Sequence, residues 1–264
     1  MGRLFLPGFE GEALVSCIKE LVKLDQQWIP TSDGFSLYLR PTAIATDSAL
    51  GLADPKKAKI FVFSCPVGPY YAEGFKPIKL LADDVNVRAW PGGVGAAKVG
   101  GNYGPTIAPQ MAAAKYGASQ VLWLYPNDDD LFVTEVGAMN VFFVIESKSG
   151  GTELITAPLD GTILPGVTRR CILELARESG EMIVSERDLG MKEIVEASKE
   201  GRLLEAFGAG TAAVVAPIKT IMFQGEDINL PTGEVIGPTA QAMWDRITDI
   251  QYGRVEHEWS VIVD

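Results

Sequence analysis

Apolar residues in the first quarter of the chain recur first at helical spacing and then at strand spacing. In residues 10–24, EGEALVSCIKELVKL, the apolar positions Leu14, Ile18, Leu21 and Val22 alternate with Glu12, Lys19, Glu20 and Lys23. That pattern predicts an amphipathic helix with one buried stripe. Pro30 and the run from Thr31 to Gly34 carry the turn chemistry that ends it. FSLYLR, residues 35–40, alternates as a strand does. A period of two puts Tyr38 and Arg40 on one face and Leu37 and Leu39 on the other. KAKIFVFSCPV at 57–67 predicts a second strand, mostly buried. Pro69, Tyr70 and Tyr71 read as a loop, and KPIKLL at 76–81 as a third strand.

Residues 82–95 gather charge, proline and glycine between two periodic regions, which marks a domain boundary there. Beyond it, Pro105–Gly117 reads as a helix that Gly117 stops, with Pro109 required to lie in the first turn. Strands are predicted at 120–125 and 139–146, with an acidic turn at 127–130 and a hairpin-like turn at 148–151. The second half alternates strands (183–187, 212–222) with helices (167–178, 191–199, 235–249). No internal repeat or low-complexity tract is present. The pattern defines an α/β chain of mixed, α+β character.

Charge and composition narrow the function classes. The 264 residues hold 23 basic and 34 acidic side chains, a net charge of −11. That balance argues against a nucleic-acid partner or an anionic membrane, both of which need clustered lysine and arginine. The three cysteines (Cys17, Cys65 and Cys171) are far apart and form no CxxC, so free thiols in a reducing compartment are expected. One histidine, His257, cannot supply a histidine-based metal site, and no metal is expected. No apolar run approaches the roughly 20 residues that span a bilayer, and the first residues lack a signal-peptide pattern. A soluble intracellular protein is the expectation.

The candidate chemistry starts at Gly92–Gly104, GGVGAAKVGGNYG, with six glycines around Lys98, Asn102 and Tyr103. Glycine lets backbone approach a flat ligand closely. A lysine half desolvated in such a loop has a lowered pKa, and a neutral amine is what Schiff-base chemistry needs. Downstream come TEVGAMNVFFV and LITAPLDGTILPGVTRR, which place Glu135, Asn140, Phe142, Thr156, Gly166 and Arg169 in order, with small and apolar residues between. This order resembles the signature of class IV, pyridoxal-phosphate-dependent aminotransferases. KVGGNYG, QVLWLY, VSERDL, FGAGTA and TDIQYG make the chain most similar to the branched-chain amino acid aminotransferases of eukaryotic type. The likeness covers nearly the whole sequence.

The resemblance implies a two-domain fold of type IV: residues 1–82 as a remnant of the small N-terminal domain, 83–95 as the interdomain connection, and 96–264 as the large cofactor-binding domain. It implies pyridoxal 5′-phosphate as cofactor. Lys98 is then the Schiff-base lysine and proton shuttle. Tyr103 hydrogen-bonds the cofactor's phenolic oxygen, and Glu135 meets the pyridine nitrogen. A buried run ending at ProGlyValThr opens a helix, whose N-terminal N–H groups suit phosphate; Val167 and Thr168 are the expected donors. GlyAlaGlyThrAla at 208–212 is a second turn, where Thr211 and Ala212 serve either the phosphate or a substrate carboxylate. Arg88 is placed at the cofactor end of the site. Tyr38, Arg40 and Tyr70 match residues that line the family's substrate pocket.

The implied reaction moves the amino group of leucine, isoleucine or valine to 2-oxoglutarate, giving a branched-chain 2-oxo acid and L-glutamate. A homodimer in cytoplasm or mitochondrion goes with it. Departures from the family pattern are also visible. The family's front section, with an arginine for the cofactor phosphate, precedes the point that matches Met1. Ala213 and Ala216 stand where animal mitochondrial members carry a CxxC. Ala97 and Ala138 replace Tyr and Thr of many relatives. The shortened front leaves a second reading, a catalytically impaired relative acting as a dimerising or binding subunit. A third, a D-amino acid aminotransferase or aminodeoxychorismate lyase, fits Tyr38 and Arg40 less well.

Overall fold

The computed structural model describes residues 2–48, 50–68 and 76–263. The chain divides into two compact units, Met1–Ala72 with Glu258–Asp264, and Glu73–His257. The third strand of the sequence reading thus belongs, by contact, with the second unit.

In the first unit, α1 (Gly11–Leu24) forms where the periodicity placed it, but none of its residues is buried. The expected buried stripe is only half covered. Strands β1 (Ser36–Ala45) and β2 (Ala58–Val67) pair antiparallel along their full lengths as a two-stranded sheet. β2 alternates between half-buried and exposed positions and buries no residue, against the expectation of a mostly buried strand. A two-stranded sheet covers its strands on one face at most, so alternation replaces full burial.

The second unit runs β3 (Ile78–Asp83), α2 (Ile107–Ala114), β4 (Gln120–Asn127), β5 (Asp130–Val136), β6 (Met139–Glu146), β7 (Thr152–Thr156), α3 (Val167–Ser179), β8 (Ile183–Glu186), α4 (Met191–Lys199), β9 (Leu203–Gly210), β10 (Val214–Phe223), β11 (Glu226–Asn229) and α5 (Pro238–Gln251). Pro109 lies in the first turn of α2, where a missing N–H costs nothing, and Gly117 stops the segment at φ 70°. The sequence pattern left out β5, β7, β9 and β11.

β9 is the strand that closes the fold. It pairs antiparallel with both β6 and β10, while β10–β3–β4–β5–β6 are paired in succession. Six strands therefore form a closed ring, and β11, β7 and β8 extend it. Closure satisfies the backbone groups that an open edge would leave bare. Trp123, Phe142, Phe143 and Phe207 are its largest fully buried side chains, and the rings of Phe142 and Phe207 stack 5.3 Å apart.

Helix α5 is fixed to this ring by one carboxylate. Glu205, buried on β9, accepts the N–H groups of Ala240 at 2.7 Å and Thr239 at 3.0 Å in the first turn of α5. Burial raises the Glu205 pKa, and those two N–H groups pull it down. Gly237, the N-cap, leaves room for this contact, because a Cβ there would displace the Glu205 carboxyl. Replacing Glu205 with alanine strands two helix donors. Chemical denaturation of Glu205→Ala should show a loss of roughly 1–2 kcal/mol; an unchanged midpoint would contradict this role for the carboxylate.

Candidate functional site

The glycine-rich segment before α2 is held in place from within. Asn102, which is buried, donates through Nδ2 to the carbonyls of Val94 and Ala97, each at 2.6 Å. One of those carbonyls belongs to the residue next to Lys98. Gly95 lies so close to the 161–162 backbone that an added Cβ would stand 2.5 Å from the Thr162 carbonyl oxygen. Glycine is required at this position for close approach, and the approach seats the lysine segment on the loop that leads to α3. The pattern alone assigned neither residue a role.

Lys98 emerges from this frame with Nζ 3.1 Å from the Tyr103 hydroxyl and 5.2 Å from the ring centroid. The amine is exposed, not half desolvated as the loop composition suggested. The segment has short 3-10 turns and no strand to cover it. Tyr103 is half-buried and holds its hydroxyl toward the amine.

Glu135 faces the opposite condition. Its side chain is 2% exposed. A bulge aims it: Trp123 pairs with Glu135 but Leu124 pairs with Val133, so Thr134 is the extra residue, and its hydroxyl bonds the Trp123 carbonyl. Bulges re-aim side chains in this way at the ends of paired strands. The turn that follows is tight, with Gly137 at φ 56°. Arg88 Nη2 lies 3.0 Å from Glu135 Oε2, and the Leu164 N–H donates to Oε1 at 2.7 Å. Arg88 also donates to the Thr162 carbonyl. Burial pushes the Glu135 carboxyl up to about 7, while Arg88, the Leu164 N–H and the Lys98 charge pull it down. The amine and the carboxylate thus act on each other electrostatically within one unit.

The N-terminus of α3 follows two residues after Leu164, whose N–H meets this carboxylate. Gly166 is the N-cap of α3, in extended conformation, and being glycine it offers no side chain of its own to cap the helix. Val167 is exposed and Thr168 half-buried at its first turn. Arg169, buried behind them, donates to the Ala157 carbonyl at 2.8 Å and pairs with Glu186 at 2.7 Å. The second turn reaches the same end of the ring through strand register: Asn140 pairs with Glu135 on one side and with Ala209 on the other, and Thr211 is two residues on. Thr211 and Ala212 are exposed. Just past them, Val214 sits at φ 56° with the Val215 N–H on the Ala213 carbonyl at 2.6 Å. A β-branched residue there stores on the order of 1–3 kcal/mol of strain.

In the first unit, Arg40 and Tyr38 share a face. Arg40 Nη2 is 3.4 Å from the Tyr38 hydroxyl, and its guanidinium lies 5.2 Å from the Tyr38 ring centroid and 5.9 Å from that of Phe63. Tyr70 lies outside the described residues. Among the described residues, no group of three or more His, Cys, Asp or Glu side chains could hold a metal ion.

The residues of the second unit fit pyridoxal phosphate. They offer an accessible amine beside a phenol, a buried carboxylate within reach of that amine's charge, and a glycine-capped helix N-terminus two residues past the carboxylate's own hydrogen-bond partner. The geometry defines an amine-and-carboxylate site on a closed β-ring.

The model of the class IV amino-transferase family matches residues 3–221, and the chain belongs to that family. It is 54% identical over 265 residues to a branched-chain-amino-acid aminotransferase of Dictyostelium discoideum, spanning 99% of this chain and 69% of that protein. The cytosolic branched-chain-amino-acid aminotransferase of Saccharomyces cerevisiae is 51% identical, covering 99% of this chain and 71% of its own length. Among solved structures, a T.th. branched-chain amino acid aminotransferase with pyridoxamine 5′-phosphate superposes with a TM-score of 0.76 at 26% identity, covering 98% of this chain and 77% of that one. The Escherichia coli enzyme shares the fold, with a TM-score of 0.78 at 24% identity, covering 98% of this chain and 79% of that one.

The burial of Glu135 gives a pH dependence. Its carboxyl stands near 7 in the folded chain against an ordinary value of 4.5. A raised carboxyl contributes stability that is complete below the ordinary value and is lost as pH rises through the folded one. Urea unfolding of the cofactor-free chain across that window should show wild type losing stability relative to Glu135→Gln as pH rises. Parallel pH profiles for the two proteins would rule this out.

Proposed function

We propose that the chain works as a branched-chain amino acid aminotransferase, moving the amino group of leucine, isoleucine or valine to 2-oxoglutarate with pyridoxal 5′-phosphate. Identities near 50% to relatives so named, over almost the entire chain, support the activity. The observation in the structure that carries the reading is the buried Arg88–Glu135 pair within electrostatic reach of Lys98.

When bound, pyridoxal phosphate supplies an aldehyde carbon that exchanges amines and an aromatic ring that accepts the electron pair left as a substrate's α-proton departs. Each proposed residue role follows from its own environment. Lys98 Nζ, when neutral, has a lone pair that takes the α-proton and returns it on the other side of the exchange. Tyr103 orients that amine through its hydroxyl, which is also free to donate to the cofactor's phenolic oxygen. Glu135, whose carboxyl Arg88 pulls down against the effect of burial, keeps a proton on the ring nitrogen. Arg88 thereby acts through Glu135, whose carboxylate it neutralises. Val167 and Thr168 offer backbone N–H groups at the positive end of α3 to the phosphate. Thr211 and Ala212 offer a hydroxyl and an N–H to the phosphate or to a substrate carboxylate. Tyr38 and Arg40 are the proposed substrate-binding pair of the first unit, with Tyr70 as a third member from sequence.

A small domain ending near residue 82, a connection through 95 and a cofactor-binding domain from 96 onward remain the proposed functional division. A homodimer is proposed as well. Ile107 and Met111 project from one face of α2, each 65% exposed, and a second copy would cover them. No helix among the described residues is long and apolar enough to cross a membrane. Relatives named cytosolic and mitochondrial support one of those two compartments.

Absorption spectroscopy tests the central residue. Added pyridoxal phosphate should give wild type a new band in the near-UV or visible that Lys98→Ala lacks, and glutamate formation from leucine and 2-oxoglutarate should fall at least about a thousandfold in that variant. A band of equal strength in Lys98→Ala would remove the lysine from its role.

A further inference from the structure

The carboxylate and the phosphate-binding helix are joined by a side chain to which neither sequence nor family resemblance gave a function. Asn140 is the cross-strand partner of Glu135 on the β5–β6 hairpin and is buried. Its Nδ2 donates to the Leu164 carbonyl at 2.9 Å and lies 3.5 Å from Glu135 Oε1. The other side of Leu164 is bound too, since its N–H donates to that same Oε1. The Leu164 carbonyl also accepts the Gly166 N–H at 2.8 Å, which folds the chain sharply around Pro165. Gly166 then caps α3. Its Cα presses so closely on Asn140 Oδ1 that any Cβ would collide with that atom. Gly166 has φ −65° and ψ 139°, an ordinary extended conformation that alanine adopts freely. Glycine is therefore needed here because of Asn140 and not because of the backbone.

We infer that Asn140 is a positioning residue that sets the spacing between the Glu135 carboxylate and the first turn of α3, and so matches the site to a ligand carrying a basic ring nitrogen at one end and a phosphate at the other. Its amide holds the Leu164 carbonyl from one face while its oxygen meets Gly166 from the other. Both ends of the site are thereby referred to one side chain on a two-residue hairpin. The amide does not touch the reacting atoms. An aspartate could not replace it, because a carboxylate cannot donate to the Leu164 carbonyl and would face Glu135 at hydrogen-bond distance. The inference rests on the cofactor reading above and adds to it a determinant of ligand length.

Equilibrium binding by fluorescence on the full cofactor-free chain tests it, with pyridoxal phosphate and with pyridoxal, which lacks the phosphate. Asn140→Ala should weaken pyridoxal phosphate at least about tenfold and leave pyridoxal within about threefold, since only the longer ligand needs both ends in register. Gly166→Ala alone should also weaken pyridoxal phosphate at least about tenfold. In the Asn140→Ala background the same change should cost no more than about twofold, because the atom it strikes is gone. Asn140→Ser serves in place of the alanine variant should that chain fail to fold. Equal losses for both ligands, or a Gly166→Ala penalty of the same size with and without Asn140, would overturn the inference and leave the cofactor reading standing. A wild-type chain that binds neither ligand would overturn both.

Discussion

A carboxylate taken out of water must be matched by something, and for Glu135 the match is one guanidinium. Arg88 and Glu135 meet at 3.0 Å with each side chain only 2% exposed. Desolvating a charge costs several kcal/mol, to order of magnitude, which Coulomb attraction recovers only in good geometry with added hydrogen bonds. Here the remaining partners are backbone: the Leu164 N–H to the glutamate, and the Thr162 carbonyl to the arginine. The pair therefore ties three segments together: the connection that carries Arg88, the β5–β6 hairpin, and the 162–166 loop ahead of α3. Losing Glu135 would leave a bare guanidinium in the interior, losing Arg88 would drive the buried carboxyl to take up a proton, and either change would loosen all three segments.

The same arrangement explains why the site is built on a closed ring. Glu135 and Asn140 stand opposite each other near a hairpin end, and Asn140 and Ala209 stand opposite each other where β9 closes against β6. One row of residues across three strands thus supplies the carboxylate, its amide neighbour and the start of the 208–212 turn. Rigid strands hold these groups, and short loops bring in the lysine and the first-turn N–H groups of α3. Precision comes from the strands, and close approach comes from glycine at positions 95 and 166.

Much of this was legible in the sequence because local chemistry dictated it. The helix at 11–24, the stop at Gly117 and the helix opened by ProGlyValThr follow from periodicity, a positive-φ glycine and a helix start that needs no long-range partner. Lys98 and Glu135 were legible through their setting within long motifs. What escaped depends on contacts distant in sequence. β9 and β5 pack on both faces and carry no alternation, so their residues do not announce a strand. The bulge at Thr134 is a matter of register between two strands. Asn102 and Asn140 look like ordinary polar residues until the fold shows which carbonyls they reach. The burial expected of α1 and β2 failed for the complementary reason: a hydrophobic pattern states which face seeks cover, and a two-stranded sheet supplies little of it.

Arg88 opposes the effect of burial on Glu135, and the proton shared with a bound ring nitrogen thereby stays on the ring. Nitrogen NMR of isotopically labelled pyridoxal phosphate bound to the protein reads that proton directly. Wild type should show a protonated ring nitrogen and Arg88→Met an unprotonated one, the proton having returned to the carboxyl. A ring nitrogen that stays protonated without Arg88 would contradict it.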